Sequence, residues 1–137
     1  MKTFFDSSAF AKRYMEEDGS DKVESLCAEA TALALSVLCV PEIISALNRR
    51  LREGSLSRIQ YNEVKARLSA EIADAIIVNL VPAVVAEAIT ILENNAVRAM
   101  DALHVACALQ WNAELFVSSD DRQLAVARRA RLHTKKV

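Results

Sequence analysis

Four short apolar or β-prone runs, at residues 3–5, 32–36, 76–80 and 115–117, recur along the chain with helix-spaced segments between them. Strands separated by helical crossovers favour a parallel sheet with helices on its faces, because parallel neighbours need a connection of a dozen or more residues. The intervening pattern predicts helices at about 8–16, 21–29, 41–52, 57–74, 84–94, 99–110 and 122–130. Helix therefore exceeds strand by a wide margin. Pro41 suits a first helical turn, Ser57 can cap the next helix, and Ser118 and Ser119 precede the last one. At 137 residues, 53% hydrophobic, the chain is expected to form one domain over 1–137, burying roughly 68% of its unfolded surface.

Composition removes several classes of function. Only Gly19 and Gly54 are glycines, so no glycine-rich phosphate loop of the P-loop or dinucleotide-binding kind can be written. No charge-free stretch exceeds twelve residues, well short of the ~20 that a bilayer crossing needs. Asp6 interrupts the opening Thr3-Phe4-Phe5 run too early for a secretory signal. Cys27, Cys39 and Cys107 are odd in number and set in apolar surroundings, which reads as reduced core thiols and a cytoplasmic location. With His104 and His133 the only histidines, a site with several imidazole ligands is excluded by count. Charge is nearly balanced, at 17 basic and 18 acidic side chains, so neither a polyelectrolyte nor a disordered chain is expected.

In a doubly wound sheet, ligands gather outside the carboxyl ends of the strands. Asp6 directly follows the first strand and Asp120 follows the fourth after two serines. Glu42 lies in the first turn of the helix opened by Pro41, and Asp101 near the start of the segment 99–109. That segment is apolar nearly all round, interrupted only by Asp101 and His104, which share one face. Capping and the helix dipole offer each acid a role without chemistry. Asp101 resists that explanation, since a buried carboxylate without a partner must find a cation or a proton.

All four acids are expected to face one spot. Two carboxylates ~5 Å apart repel by roughly 3 kcal/mol at an effective dielectric of 20, and a divalent cation relieves this. Oxygen-only ligands select Mg2+ or Mn2+. Such a site serves phosphate chemistry without a protein nucleophile.

The residues resemble the PIN-domain ribonucleases, specifically the VapC-type toxins of toxin–antitoxin pairs. Phe5-Asp6-Ser7-Ser8-Ala9-Phe10-Ala11-Lys12-Arg13-Tyr14 is similar to the family's first acidic motif, and Pro41-Glu42-Ile43-Ile44-Ser45-Ala46-Leu47 with Arg49-Arg50 to its second. Arg98-Ala99-Met100-Asp101-Ala102-Leu103-His104-Val105-Ala106 resembles the third, and Phe116-Val117-Ser118-Ser119-Asp120 with Gln123-Leu124 the fourth. The resemblance implies an α/β fold of three α/β/α layers around a central, mostly parallel sheet of 4–5 strands. It also implies a metal-dependent endoribonuclease, a homodimer, and a cognate antitoxin that blocks the site. Carried over, Asp6, Glu42, Asp101 and Asp120 form the catalytic quartet, with Asp6 and Asp101 as direct Mg2+ or Mn2+ ligands and Glu42 and Asp120 able to bind through water. Of the adjacent pair, Asp120 rather than Asp121 is chosen because it follows strand and serines at the motif's spacing.

Ser8 and Ser118 are candidates to support the acids, or plain caps. His104 reads as a core residue and is left out of the chemistry. Six basic residues from Arg122 to Lys136, with no acid after Asp121, are either an RNA contact or a solvated face and frayed tail. Arg49, Arg50 and Arg52 are open to the same two readings. A serine hydrolase lacks its nucleophile elbow. A phosphoacceptor domain lacks an acid pair after the first strand, because Ser7 follows Asp6, and a dehalogenase-type phosphatase lacks its second aspartate, because Ser8 stands there. The alternative that survives is a PIN-like module that binds RNA or protein without cutting.

Overall fold

The computed structural model describes residues 1–137. Five strands, β1 (Lys2–Phe5), β2 (Ala32–Ser36), β3 (Ile76–Val78), β4 (Leu115–Ser118) and β5 (Thr134–Lys136), form a single sheet in the order β3-β2-β1-β4-β5. Every neighbouring pair is parallel. Strands β2 and β3 lie to one side of β1 and strands β4 and β5 to the other, so the order reverses between β1 and β4. That is the place where the carboxyl ends of a doubly wound sheet open a crevice.

The pleat divides the core. Phe4 pairs in register with Ala34 and Phe116 and points to one face, while Phe5 pairs with Leu35 and Val117 and points to the other. The first face packs against α5 (Pro82–Asn94), α6 (Ala99–Gln110) and α7 (Asp121–Arg129). The second packs against α1 (Ser7–Phe10), α2 (Ser20–Glu29), α3 (Cys39–Glu53) and α4 (Arg58–Ile72). Helices on both faces of the sheet give the three layers expected from the sequence.

Local chemistry sets the element ends. Ser57 and Gln60 form a reciprocal capping box that opens α4. Gly54 closes α3 at φ +79°, a left-handed conformation that side chains with a Cβ resist. Pro82, whose role the sequence reading missed, opens α5. Pro41 is the third residue of α3 rather than its first, a position still within the turn whose amides have no helical partner. The single helix expected over 8–16 is instead the four residues of α1 followed by a tight 3-10 turn, Ala11–Arg13. Arg13 ties this turn to α2 and α4 through Glu24 (3.0 Å) and Glu71 (2.6 Å).

The C-terminal segment differs most from expectation. Instead of a frayed tail, residues 134–136 complete the sheet as β5, with Thr134 paired to Phe116 and Lys136 to Ser118. Arg128 donates to the Thr134 hydroxyl, Arg129 to Asn95, and Lys136 to Asp121. No helix is long and apolar enough to cross a membrane.

All three cysteines are free. Burial pushes the Cys27 thiol up to about 11 and the Cys39 thiol up to about 12, and it raises Cys107 as well. Since the thiolate is the nucleophile, the folded chain at pH 7.5 is expected to resist iodoacetamide at all three positions and to react at all three in urea. Equal labelling of folded and unfolded protein, read by mass spectrometry, contradicts this packing.

Candidate functional site

Asp6 and Asp120 both begin helices. The Asp6 carboxylate caps α1 by accepting from the Ala9 N–H at 2.9 Å. Asp120 caps α7 by accepting from the Arg122 and Gln123 amides at 2.8 and 3.3 Å. Capping is therefore real at both positions, but it accounts for only part of Asp6. Its carboxylate also accepts from the Ser8 hydroxyl, at 2.8 and 3.0 Å, and from the Ser118 hydroxyl at 2.5 Å, and the residue is only 1% exposed. Burial pushes the Asp6 carboxyl above the ordinary aspartate range, against the pull of these hydrogen bonds. A Ser118 oxygen that also accepts the Asp120 N–H, at 2.9 Å, links the ends of β1 and β4.

A cleft of about 810 Å³ opens beside this buried group, lined by Glu42, Asp101 and Asp120 together with Arg98 and Arg122. Asp101 lies in α6 and Asp120 caps α7, and the two helices are crosslinked where the Gln123 side chain donates to the Asp101 carbonyl at 3.2 Å. Burial raises the Asp101 carboxyl, and the negative charges of Asp120 and then Glu42 raise it further, partly offset by His104 and, less, by Arg98. Glu42 is the exception. Burial works to raise it as well, yet hydrogen bonds from His104 and Ser7 prevail and hold it below the usual glutamate range. Asp121 points away and pairs with Lys136 at 2.9 Å.

Three of the four acids singled out from the sequence thus line one cleft, and the fourth lies buried at the strand end. This differs from the expectation that all four face one spot. The Asp6 carboxylate is turned toward two serine hydroxyls and a backbone amide, which offset only part of the cost of burying its charge. As the side chains stand, no three of the His, Cys, Asp and Glu residues converge closely enough to hold a metal ion among them. The donor chemistry nonetheless suits a hard divalent ion: the cleft acids are all oxygen donors, and such an ion relieves both the burial and the neighbouring negative charge that raise the Asp101 carboxyl.

His104, left out of the chemistry on sequence grounds, is indeed buried, at 2% exposure, but its Nε2 stands 2.5 Å from Glu42 Oε1 and 3.2 Å from Ser7 Oγ. Ser7 donates to the same Glu42 oxygen at 2.8 Å. The only sequence signal for His104 was its position three residues after Asp101 on an otherwise apolar helix. Of the basic residues considered for RNA contact, Arg122 lines the cleft, whereas Arg128, Arg129 and Lys136 are engaged elsewhere.

Solved structures share this architecture at low sequence identity. VapBC2 from Rickettsia felis, solved bound to a DNA fragment from its promoter, superposes with a TM-score of 0.72 at 12% identity, covering 100% of this chain and 99% of that one. FitAcB from Neisseria gonorrhoeae gives 0.72 at 14% identity, covering 96% and 95%. VapC20 from Mycobacterium tuberculosis, described as a sarcin-ricin loop cleaving toxin, gives 0.68 at 18% identity, covering 90% and 93%. None of the curated proteins compared with the chain matches it. At these identities the superpositions speak for the fold alone, but a sequence model of the PIN domain matches residues 3–129, nearly the whole length, and on that match the chain belongs to the PIN domain family.

Proposed function

We propose that the chain is a metal-dependent endoribonuclease, the toxin component of a type II toxin–antitoxin pair, acting in the cytoplasm as one domain over 1–137. The observation that carries this reading is the cleft that Glu42, Asp101 and Asp120 line together at the carboxyl end of a PIN-type sheet. Asp6, Glu42, Asp101 and Asp120 are the proposed catalytic set and the proposed holders of Mg2+ or Mn2+. When bound, the ion supplies an acidified water and charge neutralisation at the phosphate. The chain's own residues do the rest. Ser8, Ser118 and the Ala9 amide fix Asp6, His104 and Ser7 fix Glu42, and the Arg98 and Arg122 guanidiniums offer the RNA backbone positive charge beside the acids.

The proposed partners draw support from the neighbours. A toxin–antitoxin complex from Klebsiella pneumoniae, similar in fold over 90% of this chain, supports a cognate antitoxin. The sarcin-ricin loop cleaving neighbour supports RNA as substrate. A homodimer completes the reading. The alternative, a PIN-like module that binds RNA or protein without cutting, draws on the absence of a ready three-ligand cluster.

One experiment separates the two. The purified chain is incubated with structured RNA and either Mn2+ or Mg2+, with parallel reactions in EDTA. Cleavage that requires the ion is the expected result. Cleavage that survives EDTA removes the metal from the mechanism, and RNA retention without cleavage at any metal concentration favours the binding module.

A further inference from the structure

His104 is an odd residue to find in a core. It sits on α6 among Ala102, Val105 and Ala106, all buried, and its Nδ1 has no hydrogen-bond partner. A buried polar atom without a partner costs stability that an apolar side chain of similar size does not. Packing alone therefore gives no reason for an imidazole here. Its one polar engagement is at Nε2, with Glu42 and Ser7.

Both bonds to Glu42, from His104 at 2.5 Å and from Ser7 at 2.8 Å, land on Oε1, and Oε2 takes none. An ionised Glu42 carboxylate only accepts, so this contact is a hydrogen bond in the tautomer of His104 that carries its proton on Nε2. The three residues come from α6, α3 and α1. Helices α1 and α3 cover one face of the sheet and α6 the other, so the contact joins the two outer layers across the carboxyl end of the strands. Glu42 keeps 34% of its side chain exposed and lines the cleft.

We propose that His104 and Ser7 are positioning residues that grip the Glu42 carboxylate by Oε1 and leave Oε2 free for a ligand in the cleft. The proposal rests on the nuclease reading for the identity of that ligand, a divalent cation, but not for the grip itself. A carboxylate held by one oxygen retains a fixed direction for the other, and supporting bonds of this kind are worth about 10- to 100-fold in metal affinity or activity at known metal sites.

The test compares full-length wild type with His104→Leu, His104→Gln, Ser7→Ala, Glu42→Gln and the His104→Leu/Glu42→Gln double variant. Mn2+ affinity is read from the free-ion EPR signal, thermal stability by calorimetry, RNA cleavage as kcat and KM, and Glu42 order from metal-free crystals. His104→Leu is expected to keep its Tm, to bind Mn2+ about 10- to 100-fold more weakly, and to lose kcat with KM for RNA unchanged. His104→Gln, whose amide N–H can reach Glu42, is expected to recover most of both losses. Ser7→Ala is expected to weaken Mn2+ binding in the same direction, and in the Glu42→Gln background His104→Leu adds nothing.

The proposal is overturned if His104→Leu keeps wild-type Mn2+ affinity, or if its loss adds in full to that of Glu42→Gln. A His104→Leu variant that merely unfolds shifts the decision to Ser7→Ala, where unchanged Mn2+ affinity overturns it. If the wild type neither binds Mn2+ nor cleaves RNA, the nuclease reading falls. The grip is then decided by the metal-free crystals: a Glu42 that loses its single conformation in His104→Leu supports it, and one that keeps it does not.

Discussion

Asp101→Asn is expected to abolish most RNA cleavage, by more than about 100-fold, while leaving the metal-free chain as stable as wild type or more so. The loss is set against the 10- to 100-fold that disturbing even a supporting group costs a metal site; Asp101 is proposed to touch the ion directly. The stability follows from charge. Burial, then Asp120, then Glu42 raise the Asp101 carboxyl above its ordinary value of 3.8, so the folded chain resists its ionisation. A carboxyl raised by folding stabilises below its unfolded pKa, and that contribution is lost as pH climbs through the folded value. Asp6 is raised for the same first reason, burial. The contributions of Asp6 and Asp101 to metal-free wild type should therefore fall as pH rises from about 4 through these elevated values, while Glu42, held low, acts in the opposite direction, so that Asp101→Asn should gain on wild type as pH climbs. Mn2+ relieves the same repulsion, so millimolar Mn2+ should raise the Tm of wild type more than that of the variant. Calorimetry across pH, with and without Mn2+, reads all of this. An Asp101→Asn chain that cleaves RNA at the wild-type rate defeats the assignment.

Phe116→Ala is expected to destabilise the chain by about 3–5 kcal/mol, the usual range for truncating a fully buried aromatic ring. Phe116 is completely buried on β4, with its ring stacked on that of Phe4 at 5.8 Å between centroids and 8° between planes. The two rings lie on adjacent strands on one face of the sheet, under α5, α6 and α7. Domains of this size have roughly 5–15 kcal/mol in total, so the variant should stand close to its unfolding threshold. Because β4 also carries Ser118, whose hydroxyl meets Asp6, the loss is expected to loosen the site as well as the core. Urea unfolding gives the number. A change below about 1 kcal/mol shows that the space left by the ring is refilled from neighbouring side chains.

Much of this architecture was legible along the chain because it is governed by short-range periodicity. Ala32–Ser36 and Ala99–Gln110 lie where the sequence places them, since a short apolar run and a dozen residues apolar nearly all round are both read from neighbouring residues alone. Strand β5 was illegible for the same reason. Thr134-Lys135-Lys136 has no buried face to pattern, and it becomes a strand only because β4 offers an unpaired edge. The 3-10 turn at Ala11–Arg13 likewise owes its place to long-range ties, from Arg13 to Glu24 and Glu71.

For the site, the sequence by itself determined which acids follow strands or open helices, since Asp6 and Asp120 occupy cap positions that depend on a few adjacent residues. Only the tertiary structure decided where their oxygens point. Ser118 lies 112 residues from Asp6, and His104 lies 62 from Glu42, so nothing in local spacing distinguishes an acid drawn inward by hydroxyls from one left open to a cleft. Hydrogen bonding and desolvation act over a few ångströms of space, whatever the distance along the chain, and it is the crossing of the helical layers over one sheet that brings those groups within reach.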